Sequence, residues 1–384
     1  MTTIFVQPSP WQRARAVLIG FDATLLLAMG VLAALGLAAM YSAGYDHGTR
    51  FVDHGRNMLL ALAVVFVVAQ VPPHKMERLA VPLYTLGLAL LVAVALFGIT
   101  RKGATRWLNV GIVLQPSEVM KIAMPLMLAW WFQKREGHLR AGDFAVAAAL
   151  LVLPVVLVAR QPDLGTALLV LAAGLYVIFF AGLSWKIVAP LGVAAAAGIV
   201  TLVVAQDALC DGSVRWPLLR EYQQNRVCTL LDPARDPLGK GFHILQGMIA
   251  IGSGGLAGKG FMQGTQTHLE FIPERTTDFI FAAFCEEFGF VGVAILLGAF
   301  TGLILRGLVI AAEAPTAFAR LLAGAVTMGI FTYAFVNMGM VSGILPVVGV
   351  PLPFVSYGGT AMVTLGLGIG ILMSVARSRQ LMRS

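Results

Sequence analysis

Long apolar runs separated by short polar connections occupy almost the whole of the 384-residue chain. Ten can be read, at about residues 17–41, 57–72, 79–99, 119–133, 143–160, 164–183, 186–205, 278–306, 319–341 and 354–376. A helix of about 20 apolar residues crosses the ~30 Å hydrocarbon core of a bilayer. Irregular backbone cannot face lipid, so nothing between these runs is expected to cross. The runs are long and continuous rather than alternating, which excludes an outer-membrane barrel. The pattern predicts an all-α integral membrane protein, one polytopic domain over residues 1–384 with ten transmembrane helices.

Composition agrees, with 58% hydrophobic residues and 12% charged, where a soluble domain carries roughly a quarter charged. Such hydrophobicity also excludes disorder. The net charge of +8 does not imply nucleic acid, because the basic residues sit between apolar runs as membrane topology signals do. Arg13 and Arg15 precede a first run too long for a signal-peptide core, so that span is expected to remain as an anchor. Ten crossings place both termini on one side. Lys75, Arg78, Lys134, Arg135, Arg140, Lys186, Arg306, Arg320, Arg377, Arg379 and Arg383 would share that side, which the positive-inside rule makes cytoplasmic. Two connections then lie outside the cell, at 100–118 and, as one large extracytoplasmic loop, at 206–277. A loop of that length in a compact protein is expected to be functional.

Four blocks carry candidate chemistry. In Glu270-Phe-Ile-Pro-Glu-Arg275-Thr-Thr-Asp278 the last carboxylate falls where a helix is expected to begin. The helix dipole would hold it ionised, fit to accept a proton from a sugar hydroxyl, while Arg275 could bind an anion. From spacing alone a plain helix cap, by Asp278 or Thr277, is the simpler assignment. Glu286 and Glu287 follow inside the membrane, where each costs about 2.5–3.5 kcal/mol unless paired or hydrated. At least one is expected to line a polar interior, or else to pair with a basic neighbour.

The second block, Lys102-Gly-Ala-Thr-Arg106-Trp107 through Gln115-Pro-Ser-Glu118-Val-Met-Lys121, starts a helix at Pro116. Glu118 and Lys121 stand three apart and can pair on one face. Arg101, Lys102 and Arg106 on the outer side could hold a diphosphate or simply anionic lipid headgroups. The third, Arg160-Gln-Pro-Asp163-Leu-Gly-Thr166, reads as a tight turn in which Arg160 and Asp163 pair with each other. In the fourth, from Asn337 through Gly343 to Gly359, proline and glycine are dense enough to stop a helix and restart it, as in segments that line cavities. Ser356, Gly358 and Gly359 could let a ligand approach the backbone, although helix packing explains the glycines nearly as well.

Other matches fail. Gly252-Ser-Gly-Gly-Leu-Ala-Gly258-Lys259 lacks the spacing and the hydroxyl of a phosphate loop. His243 and His268 have no further ligand at zinc spacing. Cys210, Cys228 and Cys285 are too few for a disulfide scaffold or a four-ligand metal site. Oxidation of Cys210 and Cys228, which share the outer loop, stays open.

Taken in order, Lys-Gly-Ala-x-Arg-Trp, Gln-Pro-Ser-Glu, Pro-Glu-Arg-x-Thr-Asp-Phe and Pro-x-Pro-Phe-x-Ser-Tyr-Gly-Gly resemble the SEDS proteins (shape, elongation, division and sporulation) over nearly the whole chain. These are polytopic peptidoglycan glycosyltransferases. Residues 269–278 and 345–353 look more like the elongation-type branch, RodA, than the division-type branch, FtsW. The resemblance implies a central cavity similar to that of GT-C-type glycosyltransferases, and polymerisation of lipid II, the undecaprenyl-diphosphate-linked disaccharide–pentapeptide. It places the family's essential loop carboxylate at Asp278, its helix-start pair at Glu118 and Lys121, and its outer-loop arginine at Arg106. It implies a class B penicillin-binding protein transpeptidase as partner, beside other membrane proteins of the elongation machinery. It names no certain cofactor, and a divalent cation held by Asp278 is a rival role for that carboxylate. Two other readings stand beside the polymerase: a lipid II flippase or transporter, which needs a hydrophilic path through the midplane, and a non-catalytic scaffold.

Overall fold

The computed structural model describes residues 21–383 except 47, 102–103, 110, 112, 212–213, 215, 217–220, 237–238 and 273. Arg13, Arg15 and Lys102, named above, lie outside these, as do the side chains of Arg101, Arg379 and Arg383.

Each expected apolar run is found in a helix: α1 (Ala23–Ala43), α2 (Arg50–Ala69), α3 (Pro73–Phe97), α4 (Pro116–Gln133), α5 (Ala141–Arg160), α6 (Leu164–Phe180), α7 (Trp185–Val204) and, after the long loop, α10 (Ile280–Ala312), α11 (Ala317–Val341) and α12 (Gly359–Arg383). Within the loop lie α8 (Glu221–Leu231) and α9 (Lys240–Ser253). Among the described residues, eight helices are long and apolar enough to cross a membrane, so the chain is a multi-pass membrane protein. The other two expected spans, α4 and α6, fall short. α6 has 17 residues, and α4 carries Glu118 and Lys121 in its first two turns.

Helix ends follow local chemistry. α2 starts seven residues earlier than the apolar pattern indicates, because its first two turns are polar: Arg50, Asp53, His54 and Arg56. α12 starts only at Gly359, after Pro351 and Pro353, which cannot donate backbone hydrogen bonds to a helix. The Asp22 carboxylate caps α1 through the Leu25 N–H at 3.1 Å and is forked by Arg306 of α10 at 2.6 and 2.9 Å. That ties two helices at the end of the bundle away from the long loop.

Burial is uneven. In α11 and α12, 72% of the most apolar stretch is buried, and in α7 none of it is. The interior is built from α4, α10, α11 and α12, whose small residues let backbones approach. The 100–118 connection, together with the residue before it, holds a three-stranded antiparallel sheet: β1 (Ile99–Arg101), β2 (Ala104–Asn109) and β3 (Val113–Leu114).

The 206–277 loop is structured as well. Cys210 and Cys228 form a disulfide with their Cα atoms 5.6 Å apart. Farther on, the glycine-rich turn clasps a kink in α10. Lys259 N–H donates to the Glu286 carbonyl at 3.0 Å and Gly260 N–H to the Glu287 carbonyl at 3.1 Å. Phe290 N–H donates back to the Gly255 carbonyl at 2.9 Å. The kink is at Gly289, φ +59°, where a Cβ would stand 2.2 Å from the Gly258 nitrogen. Only glycine allows this approach. The segment that imitates a phosphate loop is therefore a fastening.

Glu286 and Glu287 complete that fastening, and neither is among the residues lining the polar cavity described next. The Glu286 carboxylate accepts from Lys259 Nζ (2.7 Å), Thr265 Oγ1 (3.1 Å), Gln266 N–H (2.9 Å) and both the N–H and hydroxyl of Thr267 (3.2 and 3.1 Å). Glu287 accepts from Ser42 of α1 at 2.5 Å. The expectation that one of them lines a polar interior is corrected in favour of the pairing alternative.

Candidate active site

At the loop-bearing end of the bundle a polar cavity encloses about 880 Å³ of open space. Asp278, Glu274, Arg106, Glu118, Lys121 and Asp163 line it, from four separate segments of chain.

Asp278 belongs to a turn. Thr277 N–H and Phe279 N–H both donate to the Glu274 carbonyl at 3.1 Å, and α10 begins two residues after Asp278. The N-cap position is Phe279, not Asp278. Thr277 is no cap either, since its hydroxyl donates to Glu274 Oε2 at 2.8 Å. Asn337, buried in α11, holds this turn from beneath: its Nδ2 donates to the Asp278 carbonyl at 2.9 Å and to the Val350 carbonyl at 2.7 Å. Gly349, φ +75°, passes so close that a Cβ there would stand 3.3 Å from Asp278 Oδ2. The 343–358 segment thus packs against Asp278, which also lines the polar cavity.

Ser356 serves this support, and Gly359 lies apart from it. Ser356 Oγ donates to the Thr277 carbonyl at 2.7 Å and accepts from Leu352 N–H at 2.8 Å, which uses the hydroxyl inside the protein. Gly359 opens α12 beside Asn57 and lines a neighbouring, mainly apolar groove of about 1090 Å³ with Leu60, Leu83, Val119 and Leu367. Glu118 and Thr360 line both spaces, so groove and polar cavity meet there.

Arg275, three residues from Asp278, is not among the cavity-lining residues. It is 3% exposed, donates from Nε to the Ala43 carbonyl at 3.0 Å and pairs with Asp46. The guanidinium fastens the 270–278 segment to the end of α1, which is a different place from the anion site its position in sequence indicates.

The two other cations reach the cavity from elsewhere. Arg106, on β2, donates from Nη2 to the Pro162 carbonyl at 2.5 Å, and its Nη1 is 3.7 Å from Asp163 Oδ1. Asp163 also accepts from Gln115 Nε2 (3.0 Å) and caps α6 through Thr166 N–H (3.2 Å). Asp163 is instead paired across two blocks, with Arg106 and Gln115 of the second. Lys121 Nζ lies 2.6 Å from Glu118 Oε1 and bonds the Tyr333 hydroxyl of α11, while Glu118 Oε2 accepts from Thr364 of α12 at 2.8 Å. Beneath Lys121 the lining turns apolar, with Ile122, Leu169, Val326 and Ile330 around a second space of about 450 Å³.

The sequence reading passed over Gln115, Tyr333, Gly349 and Thr364, and gave Asn337 no role of its own. An amide in the middle of an apolar helix is itself a signal, because a buried polar group is costly without partners. The others become visible only once the fold brings their blocks together. Among the described residues, no three His, Cys, Asp or Glu side chains are grouped as ligands for a metal ion.

Apolar helices long enough to cross a membrane, a long loop folded on their ends and a polar cavity opening beside an apolar groove define a class: a polytopic membrane protein built to handle an amphiphilic ligand at one surface. The particular family follows from comparison. Residues 16–381 match the cell cycle protein family FtsW/RodA/SpoVE, and the chain belongs to it. It is similar to the peptidoglycan glycosyltransferase MrdB of Escherichia coli strain K12, at 47% identity over 95% of each chain. It is also similar to a probable peptidoglycan glycosyltransferase FtsW of Geobacter sp. strain M18, at 34% identity over 93% of this chain and 97% of that one. Among solved structures, a chain from work on structural coordination of polymerization and crosslinking by a peptidoglycan synthase complex matches with TM-score 0.76 and 32% identity, over 94% of this chain and 98% of that one. The crystal structure of the rod shape determining protein RodA of Thermus thermophilus matches with TM-score 0.67 and 28% identity, over 94% and 97%.

Proposed function

We propose that the protein is a peptidoglycan glycosyltransferase of the elongation type, which polymerises lipid II at the outer face of the cytoplasmic membrane. Both termini then lie in the cytoplasm and the 206–277 loop outside. One observation carries the reading: Asp278 shares a single open cavity with two cations, Arg106 and Lys121, and that cavity runs into an apolar groove. A sugar diphosphate on a polyprenyl chain has the matching parts.

In the proposed reaction the Asp278 carboxylate takes the proton of the acceptor sugar's 4-hydroxyl. Its oxygen attacks C1 of the donor sugar as the C1–O bond to the diphosphate breaks, and the electron pair leaves with the undecaprenyl diphosphate. One such displacement turns the donor's α-linkage into the β-1,4-linkage of the glycan. The developing negative charge falls to Lys121 and Arg106, where fixed donors in a partly desolvated site are most effective. Arg275 and Ser356 hold the frame rather than the substrate, whereas Gly359 lines the apolar groove. A divalent cation at Asp278 remains the rival role for that carboxylate, and polymerisation insensitive to chelators removes it.

The flippase reading is less well supported. Polar lining ends at the Lys121–Tyr333 contact and an apolar space follows, whereas transport of a charged headgroup requires a hydrophilic route across the midplane. The complex among the related structures supports pairing with a class B penicillin-binding protein that cross-links the new strands.

The test is reconstitution in vesicles, with that partner added or omitted and lipid II supplied on the loop side. Glycan strands on a gel support the polymerase. Headgroup translocation without polymer would replace it with the flippase.

A further inference from the structure

The Lys121 ammonium sits at the end of a four-carbon stem, and such a side chain loses about 2 kcal/mol of rotamer freedom when fixed. Glu118, one turn earlier on the same helix, restrains it from one side at 2.6 Å. A single partner on the same helix leaves the head free to follow that carboxylate. The second restraint comes from a different helix: the Tyr333 hydroxyl of α11 bonds Nζ, and the Tyr333 ring centroid lies 5.1 Å from it. Thr364 of α12 fixes Glu118 in turn at 2.8 Å. Two helices therefore hold the nitrogen directly, and a third holds its carboxylate partner.

Tyr333 is 5% exposed and lines the apolar space beneath the site, not the polar cavity itself. Its surroundings, Ile122, Val326 and Ile330, would suit phenylalanine. A hydroxyl in such a place is costly unless it is hydrogen-bonded, and the hydrogen bond described for it goes to Lys121. Glu118 and Tyr333 occupy two of the three N–H groups of the ammonium, which leaves one for an anionic oxygen in the cavity.

We infer that Tyr333 is a positioning residue: its hydroxyl holds the Lys121 ammonium, from the bundle side, at the place where the departing diphosphate gathers charge. The inference rests on the polymerase reading. The leaving group's charge is greatest in the transition state, so misplacing the ammonium slows turnover more than it weakens binding.

Tyr333→Phe keeps the ring and removes the hydroxyl. Assayed as purified full chain with its partner and lipid II, this variant should lose about tenfold in kcat, the scale of one hydrogen bond to a charged group. KM should stay within about twofold, and the melting temperature in detergent should fall by no more than the few degrees that one lost hydrogen bond accounts for. The same substitution added to a Glu118→Gln, Lys121→Met variant should cause no further loss of residual turnover, because it acts through an ammonium no longer present. Unchanged kcat would overturn the inference, as would a loss carried by KM, a loss that tracks a lowered melting temperature, or equal losses in both backgrounds. Asp278→Asn run alongside separates the two levels. Full activity of that variant removes the polymerase mechanism beneath the inference, whereas an inactive Asp278→Asn beside a normal Tyr333→Phe removes the inference alone.

Discussion

Two groups of carboxylates and cations stand within a few turns of each other, and they are finished differently. Around Glu286, five donors from Lys259 and the 265–267 turn fill the carboxylate, which is fully buried. Around Asp278 the protein supplies backbone support through Asn337 and Ser356, and the carboxylate and two cations line about 880 Å³ of open space. The first arrangement is complete without a ligand and holds the outer loop to α10. The second holds charged groups where a substrate can meet them. Charge near a membrane therefore does not mark a functional site by itself; what faces the charge decides.

This contrast is broken most severely at the clasp. Glu286→Ala leaves the Lys259 ammonium and four other donors without their acceptor, and removing one member of a buried ion pair typically costs about 3–5 kcal/mol. The expected result is poor recovery of folded protein and a large drop in melting temperature. A stable, fully active variant would show that the loop does not depend on the clasp.

Next comes the cavity, where the same chemistry should act on rate and not on folding. Replacing the pair together, Glu118→Gln with Lys121→Met, leaves no uncompensated charge. It should lower lipid II polymerisation about 10²–10³-fold, the usual effect of removing one electrostatic stabiliser, with folding and partner binding retained. Activity within a few fold of wild type would assign the pair to architecture, like the clasp.

The smallest effect belongs to Ser356→Ala. Its hydroxyl bridges Leu352 and Thr277, and losing such bonds costs about 1 kcal/mol each. A modest fall in stability with KM for lipid II unchanged is expected. A rise in KM with stability intact would return Ser356 to the substrate.

Much of this contrast was legible in the sequence, and the remainder was hidden for definable reasons. The spans were readable because lipid imposes one length and one composition. Glu118 and Lys121 were readable as a pair because helix geometry brings residues three apart together. The Asp278 turn stood out because a charged block ended the longest polar stretch. Arg275 misled because nearness in sequence passed for nearness in space, while its guanidinium turned to the Ala43 carbonyl and Asp46. Asp163 misled in the same way: its partners Arg106 and Gln115 lie about 50 residues earlier. The role of Glu286 was hidden because hydropathy records the cost of a membrane carboxylate but not the backbone N–H groups that offset it. The strands in 99–114 are too short to leave a periodic trace.

The account turns on Asp278 accepting a proton at the outer surface, and Asp278→Asn tests that most directly. Asparagine keeps the size of the side chain and removes its basicity. With wild type and variant purified alike in complex with the partner, turnover of lipid II into glycan should fall by about 10²–10⁴, the range of general-base catalysis. Melting temperature and complex formation should not change. Polymerisation at the wild-type rate by the folded variant would contradict the account.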